Sequence, residues 1–233
     1  MIRNRVTDEP AIVLHVRPYR ETSLLVDLQT EHHGRVAGVA RGVRHARRGH
    51  CLQPFYGVSV SWTGRSALVT LTSFESRRSA WFTGNVLASA YYAVELVMRL
   101  TREHEPHERL YEALEWLMRY LAEGHEMEIG LRQFESVLLE EIGYAIEFDV
   151  EAGGGSAIKP NGEYRFEFGV GFVAVSGRSG PDVIMGEALL AIANRQWQRS
   201  DARRVARRIF RRSLETLLGP RPLQSRRLLR RGA

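Results

Sequence analysis

Lysine is nearly absent from this chain: Lys159 is the only one among 33 basic residues, so the other 32 are arginine. Cysteine is as scarce, with Cys51 alone, which excludes an internal disulfide and a cysteine-rich zinc site. No apolar run approaches the roughly 20 residues needed to span a bilayer. The opening MIRNRVTDEP lacks an apolar core, so no secretory signal is expected and a cytoplasmic protein fits. Internal repeats and heptads long enough for a coiled coil are missing too. What remains is a chain of 233 residues, 44% hydrophobic and 26% charged, room enough for two globular domains.

The net charge of +6 is unevenly spread. Residues 1–80 hold 12 basic and 6 acidic side chains, residues 81–150 hold 5 and 14, and residues 151–233 hold 16 and 7. Drift of lysine codons to arginine in a GC-rich genome explains the ratio of the two cations but not this clustering. Basic ends around an acidic middle point to an anionic partner for the ends. Arginine suits one, because its planar fork fits phosphate with two hydrogen bonds and stacks on bases.

The first 80 residues read as five short strands: 11–19, ended by Pro18; 23–30; 35–40; 52–62; and 67–74. Five such strands suggest a small closed barrel, with the OB-fold the commonest that binds single strands and an SH3-like barrel the runner-up. Helical spacing takes over after Trp81, in windows 85–102, a second that begins near Pro106 and runs up to Gly124, and 126–142. A glycine-rich connection over 149–162 leads to a short hairpin, 164–168 and 171–176, turning at Gly169, and then to helices 186–197 and 202–218. The fold class is therefore α+β. An N-terminal five-stranded OB-fold barrel over 1–80 precedes a mainly helical domain over 81–233, which carries the loop and hairpin insertion (148–178) and the C-terminal helices (186–218).

Two constellations fit nucleic acid. The loop RGVRHARRG places Arg41, Arg44, Arg47 and Arg48 among glycines, with Arg35 just before it and His45 and His50 alongside. Tyr19, Phe55, Tyr56 and Trp62 on neighbouring strands offer rings for bases, and single-strand binders combine such cations and rings. The alternative is a solvated loop over core aromatics. In the last helix Arg203, Arg204, Arg207, Arg208, Arg211 and Arg212 form doublets opposite an apolar stripe. They need an anion, supplied by a phosphate backbone or by the acidic middle helices. Arg226, Arg227, Arg230 and Arg231 extend the same field. The run Glu103–Glu108 resembles metal-ligand material, but acidic residues also favour a helix start. No nucleophile with a base and no paired-carboxylate metal site emerges, so neither catalysis nor a cofactor is expected.

The runs VRPYRETSLLVDLQTEHHGRVAGVARGVR, LQPF, RQFESVLLEEIGYAIEF, GFVAV and PRPLQSRRLL occur in order along nearly the whole chain, and together they resemble the family of bacterial recombination mediators named RecO. The resemblance implies a DNA-binding protein of the RecFOR pathway, not an enzyme. Such a protein binds single- and double-stranded DNA, anneals strands coated with single-stranded DNA-binding protein, and helps load RecA together with RecR. It also implies that Arg132, in GLRQFE, clamps the C-terminal tail of single-stranded DNA-binding protein; pairing to Glu128 or Glu135 is the alternative for this side chain. Many relatives carry a four-cysteine zinc site after the helical bundle. Residues 149–162 contain no cysteine, so the chain resembles the zinc-free branch. A protein-only adaptor and an RNA-binding OB-fold protein are the competing readings.

Overall fold

The computed structural model describes residues 5–225, apart from 45, 65, 176–179 and 181, together with 228; within a short helix the side chains of Arg47 and Arg48 also lie outside the described set. Alternating apolar residues build β1 (Arg5–Tyr19), β2 (Ser23–Thr30), β3 (Arg35–Ala40), β4 (Gly57–Thr63) and β5 (Leu68–Arg78). They close into a barrel in the order β1-β2-β3-β5-β4, with β3 and β5 parallel and the other pairs antiparallel. This is the OB order, and it settles the choice against the SH3-like alternative.

Closure depends on β1. It pairs with β4 over Arg5–Ile12 and with β2 over Ala11–Tyr19, and its register shifts between Val6 and Glu9 and again between Val13 and His15. Such bulges bend a strand enough to serve two neighbours. Val13, Val26, Leu28, Val36, Val58, Val60, Leu71 and Trp62 fill the interior. Each fully buried valine or leucine contributes roughly 1.5–3 kcal/mol relative to exposure.

Several strand boundaries differ from the sequence reading. The strand read as 11–19 ends at Tyr19 as expected but begins at Arg5, where it pairs with β4, and the one read as 67–74 continues to Arg78 along β4. The expected strand over 52–62 begins only at Gly57. Before it Phe55 has φ +74° and the Tyr56 N–H donates to Gln53 O at 3.1 Å, so 53–56 is a turn.

The helices are α1 (Gly84–Leu100), α2 (Glu108–Ala122), α3 (Met127–Glu141), α4 (Gly186–Ala193) and α5 (Ser200–Leu218). A small sheet holds β6 (Glu163–Glu167), β7 (Gly171–Ala174) and β8 (Ile184–Met185), in the order β7-β6-β8. The predicted end of the hairpin at Ser176 lies outside the described residues, and β8, two residues long, was not foreseen.

The chain forms two compact units. One runs to His125 and takes back the chain from Leu223 on; the other is Glu126–Pro222. In the first, the barrel shares its unit with α1 and α2, and the Glu95 carboxylate on α1 accepts hydrogen bonds from the Gln224 and Ser225 N–H groups and the Ser225 hydroxyl at 2.7–2.9 Å. Gly34, at φ +66° between β2 and β3, is required there, since a Cβ would collide with the backbone of Glu105. The segment after α1 docks at this point, with the His104 N–H donating to Arg35 O at 2.9 Å. No helix among the described residues is long and apolar enough to cross a membrane.

Candidate nucleic-acid interface

The turn between β1 and β2 and the loop after β3 form one wall of an open groove on the barrel. Arg20 takes φ +52°, unusual for a residue with a Cβ, and this conformation lays its guanidinium 5.3 Å from the centre of the Tyr19 ring. The Arg44 N–H donates to Thr22 O at 2.9 Å, tying loop to turn. The groove encloses about 890 Å³; Tyr19, Arg20, Arg41 and Arg44 line it, with Val39 and Leu68 as apolar surface and Glu21 as its one acid. Cations beside a half-exposed ring and aliphatic floor can hold phosphates while bases stack, and the groove lies where OB-folds bind oligonucleotides.

The structure brings together Arg41 and Arg44 from the predicted set, and adds Arg20, which the sequence reading passed over. Its signal was present in the Arg-Glu-Thr-Ser turn, but only a left-handed backbone aims the side chain at Tyr19. Arg47 and Arg48 belong to a short 3-10 helix (Arg47–Cys51) that follows the loop; their side chains, and His45, lie outside the described residues. Arg35 stands at the opposite end of β3, about 20 Å along the strand. There its guanidinium donates to the carbonyl of Thr101, the C-cap of α1, at 3.3 Å. Of the four aromatics, Tyr19 alone reaches the groove. Phe55, Tyr56 and Trp62 are buried, Phe55 packing between Phe82 and Tyr91.

The second unit carries the other arginine face. Ala202, Ala206, Ile209, Phe210, Ser213 and Leu214 bury one side of α5, which leaves Arg204, Arg207, Arg208, Arg211 and Arg212 exposed on the other. Acidic neighbours engage part of the row: Arg203 lies 3.0 Å from Glu126, Arg207 3.0 Å from Glu128 on α3, and Arg211 3.0 Å from Glu215. Among the described residues no carboxylate pairs with Arg204 or Arg212. A shallow depression of about 510 Å³ runs between these side chains. At the start of the helix Arg199 bridges Glu187 and Asp201, and its hydrogen bonds hold the Asp201 carboxyl below the usual range.

Arg132 is buried on α3, and its guanidinium donates to Glu135 at 2.9 Å. Any incoming carboxylate must therefore share or displace that partner. In the run 103–108, Glu103 forms an isolated bridge to Arg35 and Glu108 begins α2, and among the described residues no three histidine, cysteine, aspartate or glutamate side chains converge as a metal site. The glycine-rich connection is ordered by its own hydrogen bonds. The Ile158 N–H donates to Asp149 O at 2.8 Å, the Glu151 N–H to Ser156 O at 2.7 Å, and the Tyr164 hydroxyl to the Glu151 carboxylate at 3.0 Å.

Two family models match the chain, described as the N-terminal part of recombination protein O over residues 4–80 and its C-terminal part over 82–227. It is 40% identical to the DNA repair protein RecO of Cellvibrio japonicus, over 98% of this chain and 99% of that protein. Identity to the RecO of Methylococcus capsulatus is 38%, over 97% and 94%, and to that of Cupriavidus metallidurans 36%, over 97% and 77%.

Proposed function

Because the chain belongs to the RecO family of DNA repair proteins, we propose that it works in recombinational repair as a DNA-binding mediator that performs no covalent chemistry. The observation that carries this reading is the barrel groove, with Tyr19, Arg20, Arg41 and Arg44 gathered on one face. Arginine forks neutralise phosphates, the Tyr19 ring accepts a base, and no step requires a nucleotide or metal. The exposed row on α5 supplies a second cationic face. Two polyanionic strands repel each other, and a protein that neutralises both lowers the barrier to their pairing. Annealing of complementary strands coated with single-stranded DNA-binding protein is the activity that follows, with RecR as a partner and RecA loading as the outcome. The tail of the coating protein would be recognised at Arg132, where the pair with Glu135 opens to admit a terminal carboxylate.

The test is an annealing assay on strands pre-coated with single-stranded DNA-binding protein, with and without that protein's tail, alongside gel shifts with single-stranded DNA, duplex and RNA. Charge reversal at Arg41 and Arg44 should abolish the single-strand shift and the annealing together. Annealing that survives this change would refute the groove as the binding face, and a shift with RNA alone would make this an RNA-binding protein. The ion pairs of Arg203 and Arg207 favour a second reading for α5 only, as an adaptor surface that meets acidic protein segments. Loss of partner binding with intact DNA affinity, on charge reversal at Arg204 and Arg208, would select it.

A further inference from the structure

Of the four tryptophans, Trp62 and Trp197 are buried and Trp116 is half-buried, whereas Trp81 is 83% exposed. Exposure of so large a ring has a cost in water, and the chain does not leave it to drift. Ala80 and Phe82 on either side are buried, Phe82 packs on Phe55 at 5.5 Å, and the Tyr56 ring meets Trp81 at 6.5 Å and 79°, an edge-on contact. The backbone is thus pinned on both sides of a ring that remains open to solvent.

The surroundings favour a flat anionic ligand over a protein. Trp81 stands alone, since the other exposed large apolar residues described in its unit are Leu68 and Leu228. A protein interface has an apolar core of several contiguous side chains, while one base covers one ring. The run SRRSAWFTGN brings Arg77 and the hydroxyl residues Ser79 and Thr83, all exposed, and contains no acidic residue; Glu115 on α2 faces Arg78, which donates to its backbone carbonyl at 3.3 Å. Strand β5 links this point to the groove: Leu68, Val69 and Thr70 line the groove, and the strand then runs about 26 Å to Arg78, three residues before Trp81. The 3-10 helix that carries Arg47 and Arg48 packs against the same strand.

We infer that Trp81 is a stacking platform for an unpaired base of a single strand that leaves the barrel groove along β5. This rests on the nucleic-acid reading of the groove and extends it to a second contact, which short oligomers do not reach. An OB-fold covers roughly 4–16 nucleotides, so a strand of about 16 should engage both contacts and one of about 4 the groove alone.

The experiment compares wild type, Trp81→Phe, Trp81→Ala and the double variant Arg41→Ala, Arg44→Ala, using the anisotropy of labelled thymidine oligomers of both lengths and of a duplex. Alanine at 81 should weaken the longer single strand about tenfold and leave the short oligomer and the duplex unchanged. Phenylalanine should keep most of the affinity while the quenching of tryptophan emission by DNA is lost. Equal affinity of wild type and Trp81→Ala for the longer strand overturns the inference and leaves the groove standing. Equal weakening of duplex and single strand also overturns it, because a paired base cannot stack on the ring. If wild type binds no oligomer, or the groove variant binds as well as wild type, the groove reading itself fails. Thermal melting of each variant separates lost binding from lost folding.

Discussion

On the proposed reading, salt dependence counts the cations that meet DNA, and the arginines of the two faces give the expected number. Arg20, Arg41 and Arg44 line the barrel groove, and Arg204 and Arg212 on α5 have no carboxylate partner among the described residues. Each single-strand phosphate neutralised adds about −0.7 to the slope of log K against log salt, so the groove alone gives about −2.1 and both faces about −3.5. Between 50 and 200 mM salt these slopes correspond to losses of roughly twentyfold and roughly a hundredfold in affinity. The double variant Arg41→Ala, Arg44→Ala removes two groove cations and should flatten the slope by about 1.4. Anisotropy of a labelled single strand, titrated at several salt concentrations, reads both numbers. Arg204→Ala with Arg212→Ala should subtract a further 1.4 or so only if α5 meets the same strand. A wild-type slope near zero, or one that the groove variant leaves unchanged, refutes the electrostatic account.

Glu128→Gln releases Arg207 from its 3.0 Å ion pair; the pair is exposed, so folding stability should change by less than about 1 kcal/mol while DNA affinity rises, and a fall in affinity counts against α5 as a phosphate face. Arg132→Ala removes the guanidinium of a buried ion pair with Glu135 and should cost about 3–5 kcal/mol in denaturant unfolding as well as binding of a tail peptide; unchanged peptide affinity would retire Arg132 as the clamp. The hydrogen bond that the imidazole donates to Glu9 raises His32 above its ordinary 6.5, with smaller help from Glu31. Stabilisation from this protonated pair is therefore complete below 6.5 and is lost as pH rises through the higher folded value, a trend that melting curves of Glu9→Gln should lack.

The sequence revealed periodic features and missed those that depend on backbone conformation. Strands β2 and β3 were read to the residue because SLLVDLQT and RVAGVA sit between clear turn signals. The start of β4 was misplaced because LQPFY is apolar enough for a strand, while its actual shape comes from Phe55 in the left-handed region. Arg35 was grouped with Arg41 because they are close in sequence, but a strand is rigid and puts its two ends at opposite sides of the barrel. Aromatics as a class were legible and their burial was not: Phe55, Tyr56 and Trp62 serve the core, and the exposed ring is Trp81, at the junction where strand gives way to helix. On α5 the arginine doublets announced an exposed face and the acidic middle helices were foreseen as one partner for it; that Glu126 and Glu128 are the carboxylates engaged depends on the packing of α3, which is distant in sequence.

The anchor of Gln224 and Ser225 on Glu95 has a consequence for biosynthesis. The second unit is spliced into the first, so a ribosome that has released the barrel, α1 and α2 has still not delivered the last piece of their own unit. That unit can close only after about a hundred further residues have emerged, at roughly 5–20 per second. Until then Glu95 faces water, and the early half of the protein must persist for several seconds as an unfinished body.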